Sequence, residues 1–128
     1  MRRVVVESPY AATSPEGVAR NIRYLRACMH DCLQRGESPY ASHAMYTQPG
    51  VLCDESVEER EWGIHAGFAW RDVSELTVVY TDLGTSSGMG YGVADAQKKN
   101  RPVEYRSLGA DWEKLAGETE ATRPGLGW

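Results

Sequence analysis

The segment 82–89, Asp-Leu-Gly-Thr-Ser-Ser-Gly-Met, concentrates groups that can bind an anion. Its glycines, Gly84 and Gly88, let the backbone approach a ligand closely. If a helix begins at Gly88, the unpaired amides of its first turn favour the binding of a phosphate. Asp82 and Met89, at the two ends of the segment, would lie beside it. The alternative is that Ser-Ser-Gly only caps this helix. The hydroxyl groups of the segment belong to Thr85, Ser86 and Ser87.

Two other polar segments, one beginning at Ser8 and one containing His43, follow runs that are typical of strands. In an open parallel sheet, ligands bind beyond the carboxyl ends of the strands, so these segments and the 82–89 turn should share one edge. A histidine ordinarily titrates near neutral pH, so His43 could act as a general acid or base. The alternatives are a ligand contact and a structural histidine. The contacts predicted from these two segments are Ser8, Pro9, Tyr10, His43 and Tyr46.

Arginines and aromatic side chains extend the predicted site. Arg20 and Arg23 follow the first ligand-edge loop, where a guanidinium can grip a phosphate with two hydrogen bonds. The alternative for both is a solvated stripe on a helix. A nucleobase needs an aromatic surface to stack on, but we assign Trp70 to the core. The stacking candidates are Tyr10, Tyr46 and Trp62.

Carboxylates near the same edge could support chemistry at a sugar carbon. Glu58 and Glu61 would lie there if the loop 47–56 folds over the edge, and Asp82 ends a strand. Paired carboxylates suffice for hydrolysis at such a carbon. However, acidic residues in the first turn of a helix usually complement its dipole, which is the alternative for Glu58 and Glu61.

The elements that must position these groups alternate along the chain in the order βαβαβαβ. This order predicts a three-layer α/β sandwich with a mostly parallel sheet of four or five strands, Rossmann-like or flavodoxin-like. We expect one domain over residues 1–108, and then a short helix near 111–116 and a tail that together form residues 109–128. Predicted strands are Arg3 to Glu7, 38–46, Leu76 to Thr81 and Pro102 to Arg106, and predicted helices run from an N-cap at Thr13 to a stop at Gly36, from Val57 to Trp70 and from Gly88 to Lys99.

Composition narrows the class of protein. The 128 residues carry a net charge of −4, which argues against a general nucleic-acid binder. No apolar run is long enough to span a membrane or to form a signal peptide, so we expect a cytoplasmic protein without membrane contact. The three cysteines, Cys28, Cys32 and Cys53, include no CxxC pair, so we predict free thiols and no metal site.

Several motifs together resemble one superfamily. These are RNIRYLRAC, GESPYASHAMYTQPGV, GIHAGFAW, VVYTDLGTSSGM and PVEYR, spread over residues 3–108. They are similar to motifs of the nucleoside 2-deoxyribosyltransferase superfamily, and most closely to small phage-encoded members without an assigned activity. The resemblance implies a nucleotide-related scaffold that forms a dimer or larger homo-oligomer.

The resemblance also implies where a nucleophile would lie. Enzymes of the superfamily use a glutamate in the first turn of the helix after the turn, in a pattern close to S-G-x-x-[YF]-E-x-G. The matching run here is SGMGYG, residues 87–92, and Gly92 stands at the glutamate position. A carboxylate must approach the sugar carbon closely to react, so this departure argues against the chemistry of the superfamily.

We therefore expect a binding protein rather than an enzyme. It would capture a nucleotide or an ADP-ribose-like signal without cleaving it, as a phage anti-defence sponge in the host cell cytoplasm, and it would need no cofactor. The alternative is an N-glycoside hydrolase or transferase that acts on nucleoside monophosphates or NAD-like nucleotides with a relocated carboxylate. A third possibility is an interaction module with a vestigial pocket.

Overall fold

The computed structural model describes residues 1–53 and 55–121, with side chains up to residue 118. Strands and helices alternate over most of this length. The order in the chain is β1 (Arg2–Glu7), α1 (Pro15–Gln34), β2 (Glu37–Tyr40), α2 (Ser42–Met45), α3 (Val57–Arg71), β3 (Leu76–Tyr80), α4 (Ser87–Lys98), β4 (Val103–Arg106) and α5 (Trp112–Ala121).

The four strands form one parallel sheet in the order β2-β1-β3-β4. The two inner strands carry the continuous β-branched runs expected of strands that are covered on both faces. All five residues of β3 are buried, and so are the three valines of β1. The predicted α/β fold with a parallel sheet is confirmed, and the sheet has four strands.

One face of the sheet is apolar. Val4 and Val6 of β1 and Val78 of β3 pack there with the buried face of α1 and with Trp112 of α5. Cys28 and Cys32 belong to this core as free thiols, and burial raises the pKa of the Cys28 thiol above its usual range. Burial also raises the pKa of the Cys32 thiol, although Arg106 Nη1 lies 3.8 Å from its Sγ, so both thiols are packing residues.

The opposite face of the sheet mixes apolar and polar side chains, because it carries Val5 and Val79 together with Glu7 and Thr77. Residues 5, 7, 77 and 79 alternate with the apolar set, and helices α3 and α4 cover them. Arg71 at the end of α3 is only 3% exposed, and its Nε donates to the Thr77 hydroxyl over 3.1 Å. A charged side chain therefore lies between α3 and the sheet.

The predicted second strand, residues 38–46, is wrong in its second half. Residues 42–45 form the short helix α2. Strand β2 pairs with β1 only from Glu37, opposite Arg2, to Tyr40, opposite Val5. Pairing ends there although β1 continues to Glu7, because residues 42–45 pack against α3, with Ser42 beside Gly67. Their backbone forms helical hydrogen bonds instead, such as Tyr46 N to Ser42 O at 2.9 Å.

Three smaller differences concern helix ends and one side chain. The N-cap of α1 is Ser14, whose hydroxyl accepts from the Gly17 amide, and not Thr13. Trp70 is 50% exposed and not in the core, because the inward positions of α3 belong to Gly67 and Arg71. Helix α5 runs longer than predicted, and the predicted tail lies largely outside the described residues.

No helix among the described residues is long and apolar enough to cross a membrane.

Candidate functional site

A cleft opens between the end of β1 and helices α2, α3 and α4. We call it the Glu7 cleft. Its wall combines three glycines, of which Gly88 is exposed, with the aromatic side chains of Phe68 and Tyr91. It is lined by Val5, Glu7, Ser42, Ile64, Gly67, Phe68, Arg71, Gly88, Tyr91 and Gly92.

Glu7, the last residue of β1, places a carboxyl group in this cleft. Its side chain is 14% exposed, and its Oε2 has no hydrogen-bond partner among the described residues. The Arg71 Nη2 lies 3.6 Å from this oxygen. Burial raises the pKa of Glu7 to about 7, opposed by the Arg71 charge and assisted by that of Asp95. Glu7 is therefore an acid that titrates near neutral pH.

Gly92 of α4 lies directly against this carboxyl group. A Cβ atom at position 92 would be only 2.1 Å from Glu7 Oε2 and 2.4 Å from its carboxyl carbon. Such distances are far below van der Waals contact, so any side chain at position 92 requires Glu7 to move. The space that a side chain at position 92 would enter is thus occupied by the carboxyl group of Glu7.

Arg71 connects the two acidic residues that flank the cleft. Its Nη1 donates to Asp95 Oδ2 over 3.0 Å, in addition to its contact with Glu7. Lys99 Nζ also pairs with Asp95, at 3.2 Å. Asp95 is therefore paired with two cations, whereas Glu7 shares one guanidinium and its buried Oε2 accepts no hydrogen bond among the described residues.

The glycine-rich turn leads into α4 as the sequence predicts. Gly84 has φ +81°, a conformation that glycine adopts without strain. The Ser86 hydroxyl accepts from the Met89 amide over 3.3 Å, so Ser86 is the N-cap. The capping role left open by the sequence is thus filled by Ser86. The first-turn amides at Ser87 and Gly88 have no intrahelical acceptor, and Gly88 also lines the Glu7 cleft.

Asp82, a predicted ligand and catalytic candidate, is engaged in structural hydrogen bonds. Its carboxylate accepts from the Tyr24 and Ser107 hydroxyls, each over 2.6 Å, and from the Leu108 and Gly109 amides. Burial acts to raise its pKa, but these hydrogen bonds outweigh burial and hold it at about 2. Asp82 thus joins the end of β3 to the loop after β4.

His43 and Ser8 pair with each other at the predicted ligand edge. His43 Nε2 lies 2.8 Å from the Ser8 hydroxyl, and Ser8 is buried. Burial lowers the pKa of His43 to about 4, so the imidazole is neutral at pH 7 and can accept a hydrogen bond from the Ser8 hydroxyl. Ser8, Pro9 and His43 are not among the residues that line the Glu7 cleft.

The other predicted contacts are dispersed. Arg20 pairs with Glu113 over 2.8 Å and stacks on Trp112, so it joins α1 to α5. Tyr46 packs edge to face with Tyr40. Of the predicted ligand contacts, only Gly88 lines the cleft. Outside its lining are Tyr10, Arg20, Arg23, Tyr46, Glu58, Glu61, Trp62, Asp82, Thr85, Ser86, Ser87 and Met89.

The sequence analysis missed Glu7, Arg71, Tyr91 and Gly92 as lining residues of one cleft. The available signal was the charge of Glu7 itself, because it ends a β-branched run that must be buried on both faces. A carboxylate in that position is expensive unless it is paired or functional. Arg71 gave a weaker signal, as the last residue of an otherwise apolar helix end.

Comparison with known proteins supports the fold. No curated protein matches the sequence significantly. Among solved structures, the chain is similar to the 2-deoxyribosyltransferase of the psychrotolerant bacterium Bacillus psychrosaccharolyticus, described as a biocatalyst for nucleoside synthesis. The TM-score is 0.64 at 11% identity, over 89% of this chain and 90% of that chain, so the similarity concerns the fold alone. A family model matches residues 2–106, and the chain therefore belongs to the family described as a domain of unknown function, DUF7768.

Proposed function

We propose that this protein binds a nucleoside or nucleotide in the Glu7 cleft and at the adjoining first turn of α4. The observation that carries the proposal is a mostly buried carboxyl oxygen without a hydrogen-bond partner, in a cleft at the carboxyl edge of a parallel sheet. The fold similarity to a 2-deoxyribosyltransferase supports a nucleotide-related scaffold.

The parts of such a ligand have different places in this proposal. A phosphate group would meet the free amides at Ser87 and Gly88, where the helix dipole is positive. A sugar or base would enter the cleft beside Gly88, which belongs to both the turn and the cleft. Tyr91 at the rim is 64% exposed and offers a ring for stacking.

Capture without cleavage is the first candidate for the fate of the ligand. The carboxylates that the sequence offered as relocated catalysts do not support turnover. Glu58 and Glu61 are exposed and outside the cleft lining, and Asp82 is held by four donors. A protein that retains an intact nucleotide or ADP-ribose-like molecule could serve as a phage anti-defence sponge.

N-glycoside cleavage is the second candidate, and one observation favours it. Gly92 leaves its space to the carboxyl group of Glu7, so this part of the cleft does contain a carboxyl group, supplied by β1 rather than by α4. Ionised Glu7 could attack C1′ of a nucleoside as the C1′–N bond breaks and the base leaves with a proton from water; a second water would then hydrolyse the glycosyl ester and release Glu7. Glu7 would then be the relocated carboxylate that this alternative requires.

Incubation with a panel of deoxynucleosides, their 5′-monophosphates and NAD distinguishes the two fates. Chromatography of the supernatant and of the heat-released ligand shows whether the compound stays intact. Recovery of intact compound from the protein supports capture, and free base supports cleavage. Base release that Glu7→Gln abolishes and Glu61→Gln preserves would assign turnover to the cleft. A parent protein that neither retains nor cleaves any compound contradicts the proposed function.

We also propose that the protein is a dimer or larger and acts in the cytoplasm. Apolar side chains exposed on α3 and α4 support self-association, because soluble monomers rarely expose such groups together. These residues are Val57, Trp62, Trp70 and Tyr91. Sedimentation velocity measures the oligomeric state, and a single monomeric species at micromolar concentration contradicts this part of the proposal.

A further inference from the structure

The Glu7 carboxyl group is held in place but not saturated. Arg71 approaches its Oε2 only to 3.6 Å, and the other guanidinium nitrogens donate to Asp95 and Thr77. A buried carboxylate oxygen without a hydrogen bond has lost its hydration and has no replacement for it. A ligand donor that reaches this oxygen would recover much of the lost free energy. The cleft is therefore prepared for a hydrogen-bond donor.

The lining of the cleft indicates what kind of donor fits. Gly88 leaves room for a flat ring, because a Cβ atom there would meet only Ser86 Oγ, at 3.9 Å, and Phe68 and Ile64 offer apolar contact. Arg71 is already shared between two carboxylates, so the cleft has no unpaired cation among the described residues for an anionic group. A neutral polar ring fits this combination better than a phosphate.

We propose that Glu7 orients the bound nucleoside by accepting a hydrogen bond from a hydroxyl or amino group. The inference rests on the proposed binding function, and it holds whether the ligand is retained or cleaved. A sugar hydroxyl and the exocyclic amine of a base share this donor chemistry. Glu7 is then a ligand contact that determines specificity.

The ionisation of Glu7 makes the contact measurable. Arg71 of α3 favours its charged form, whereas Asp95 of α4 and burial favour its neutral form, and the pKa is about 7. If the ligand donates to the carboxylate, affinity follows the ionised fraction. That fraction rises roughly tenfold between pH 6 and pH 8.5 for a group of this pKa, so affinity should rise by about the same factor.

Calorimetry with uncharged nucleosides tests the inference without the titration of a phosphate. We expect adenosine to bind the parent about tenfold more tightly at pH 8.5 than at pH 6. Glu7→Gln should lose about 10-fold to 100-fold in affinity at pH 8.5, the value of a charge-assisted hydrogen bond. It should also lose the pH dependence. Glu61→Gln, an exposed change on α3, is the matched control and should behave as the parent.

Three nucleosides distinguish the donors. A selective loss with 2′,3′-dideoxyadenosine assigns the contact to sugar hydroxyls, and a selective loss with purine riboside, which lacks the amine, assigns it to the base. Gly92→Ala, which displaces Glu7 without removing it, should weaken adenosine binding as a second variant. Adenosine binding that is unchanged in both Glu7→Gln and Gly92→Ala overturns the inference and leaves the binding function intact. No binding of any nucleoside or nucleotide to the parent contradicts the function itself.

Discussion

The contact between Gly92 and Glu7 predicts an unusual response to the smallest possible side chain. In the interior of a helix, glycine to alanine normally stabilises, by up to about 1 kcal/mol. At position 92, the new Cβ would lie 2.1 Å from Glu7 Oε2, whereas ordinary contacts begin at 3.4 Å. The carboxyl group must therefore retreat by more than an ångström, away from its position beside Arg71.

The magnitude follows from these opposing effects. The Glu7 side chain is only 14% exposed, so the forced shift of its carboxyl group away from Arg71 should cost about 1–3 kcal/mol, the range for overpacking. Offset by the gain in helix propensity, Gly92→Ala should lower the free energy of unfolding of the parent by about 1–2 kcal/mol. When Glu7→Ala has already removed the carboxyl group, the same change should stabilise the protein by up to about 1 kcal/mol. The coupling between the two positions is then about 2–3 kcal/mol, within the range for residues in contact.

Urea unfolding of the parent, the two single variants and the double variant measures this coupling. Circular dichroism of the helices gives the transition, and equal m-values across the four proteins ensure that the free energies are comparable. Gly90→Ala is the matched control, because a Cβ at position 90 of the same helix meets no atom within 4 Å. It should stabilise the protein whether or not Glu7 is present.

Additivity would refute the reasoning. If the effects of Gly92→Ala and Glu7→Ala sum to within about 0.5 kcal/mol, the two residues do not share the same space. Stabilisation of the parent by Gly92→Ala would lead to the same conclusion. In either case, Glu7 would not fill the position beside Gly92, and its proposed role in the cleft would lose its geometric basis.

Four further outcomes are expected. The raised pKa of Glu7 contributes stability that is fully present below about pH 4.5 and is lost as the pH rises through 7. In urea titrations, the free energy of unfolding of the parent should therefore fall by about 3 kcal/mol more than that of Glu7→Gln between pH 4 and pH 8. Arg71→Met should cost about 3 kcal/mol by the same assay, because it leaves buried Asp95 and Glu7 without their shared cation. Ser87→Asp should weaken the binding of nucleoside monophosphates in calorimetry, through repulsion at the first turn of α4. Tyr91→Ala should weaken nucleoside binding by about 1–3 kcal/mol if the ring stacks on a base, and an unchanged affinity would place the base elsewhere.

The fold could be predicted because each strand and helix has its own pattern of apolar residues over a short stretch of the chain. The valines of residues 4–6 and the run Leu76–Tyr80 have the composition of buried parallel strands, and the structure has both. The boundary after Tyr40 could not be predicted, because it depends on the packing of residues 42–45 against the distant helix α3. That information is not local to residues 38–46.

The cleft could not be predicted because it depends on contacts between distant residues. The sequence does place Gly92 in the right helix, but the contact with Glu7 joins positions 85 residues apart. The sequence pattern at Arg71 is that of a polar helix end. Only the packing of α3 against the sheet shows that Arg71 points inward. Trp70, the adjacent residue, faces outward for the same reason.

The difference between the two faces of the sheet has a dynamic consequence. Apolar packing against α1 and α5 is lost only when the chain unfolds as a whole, so amides of α1 should exchange hydrogen with solvent at the slowest rates. Helix α3 buries only Gly67 and Arg71, so few buried apolar side chains hold this layer to the sheet. Subglobal opening should therefore begin in the layer that also forms the wall of the Glu7 cleft. Ligand entry and local unfolding would then share one low-energy motion, and a bound nucleoside would slow hydrogen exchange in α3 and α4 more than in α1.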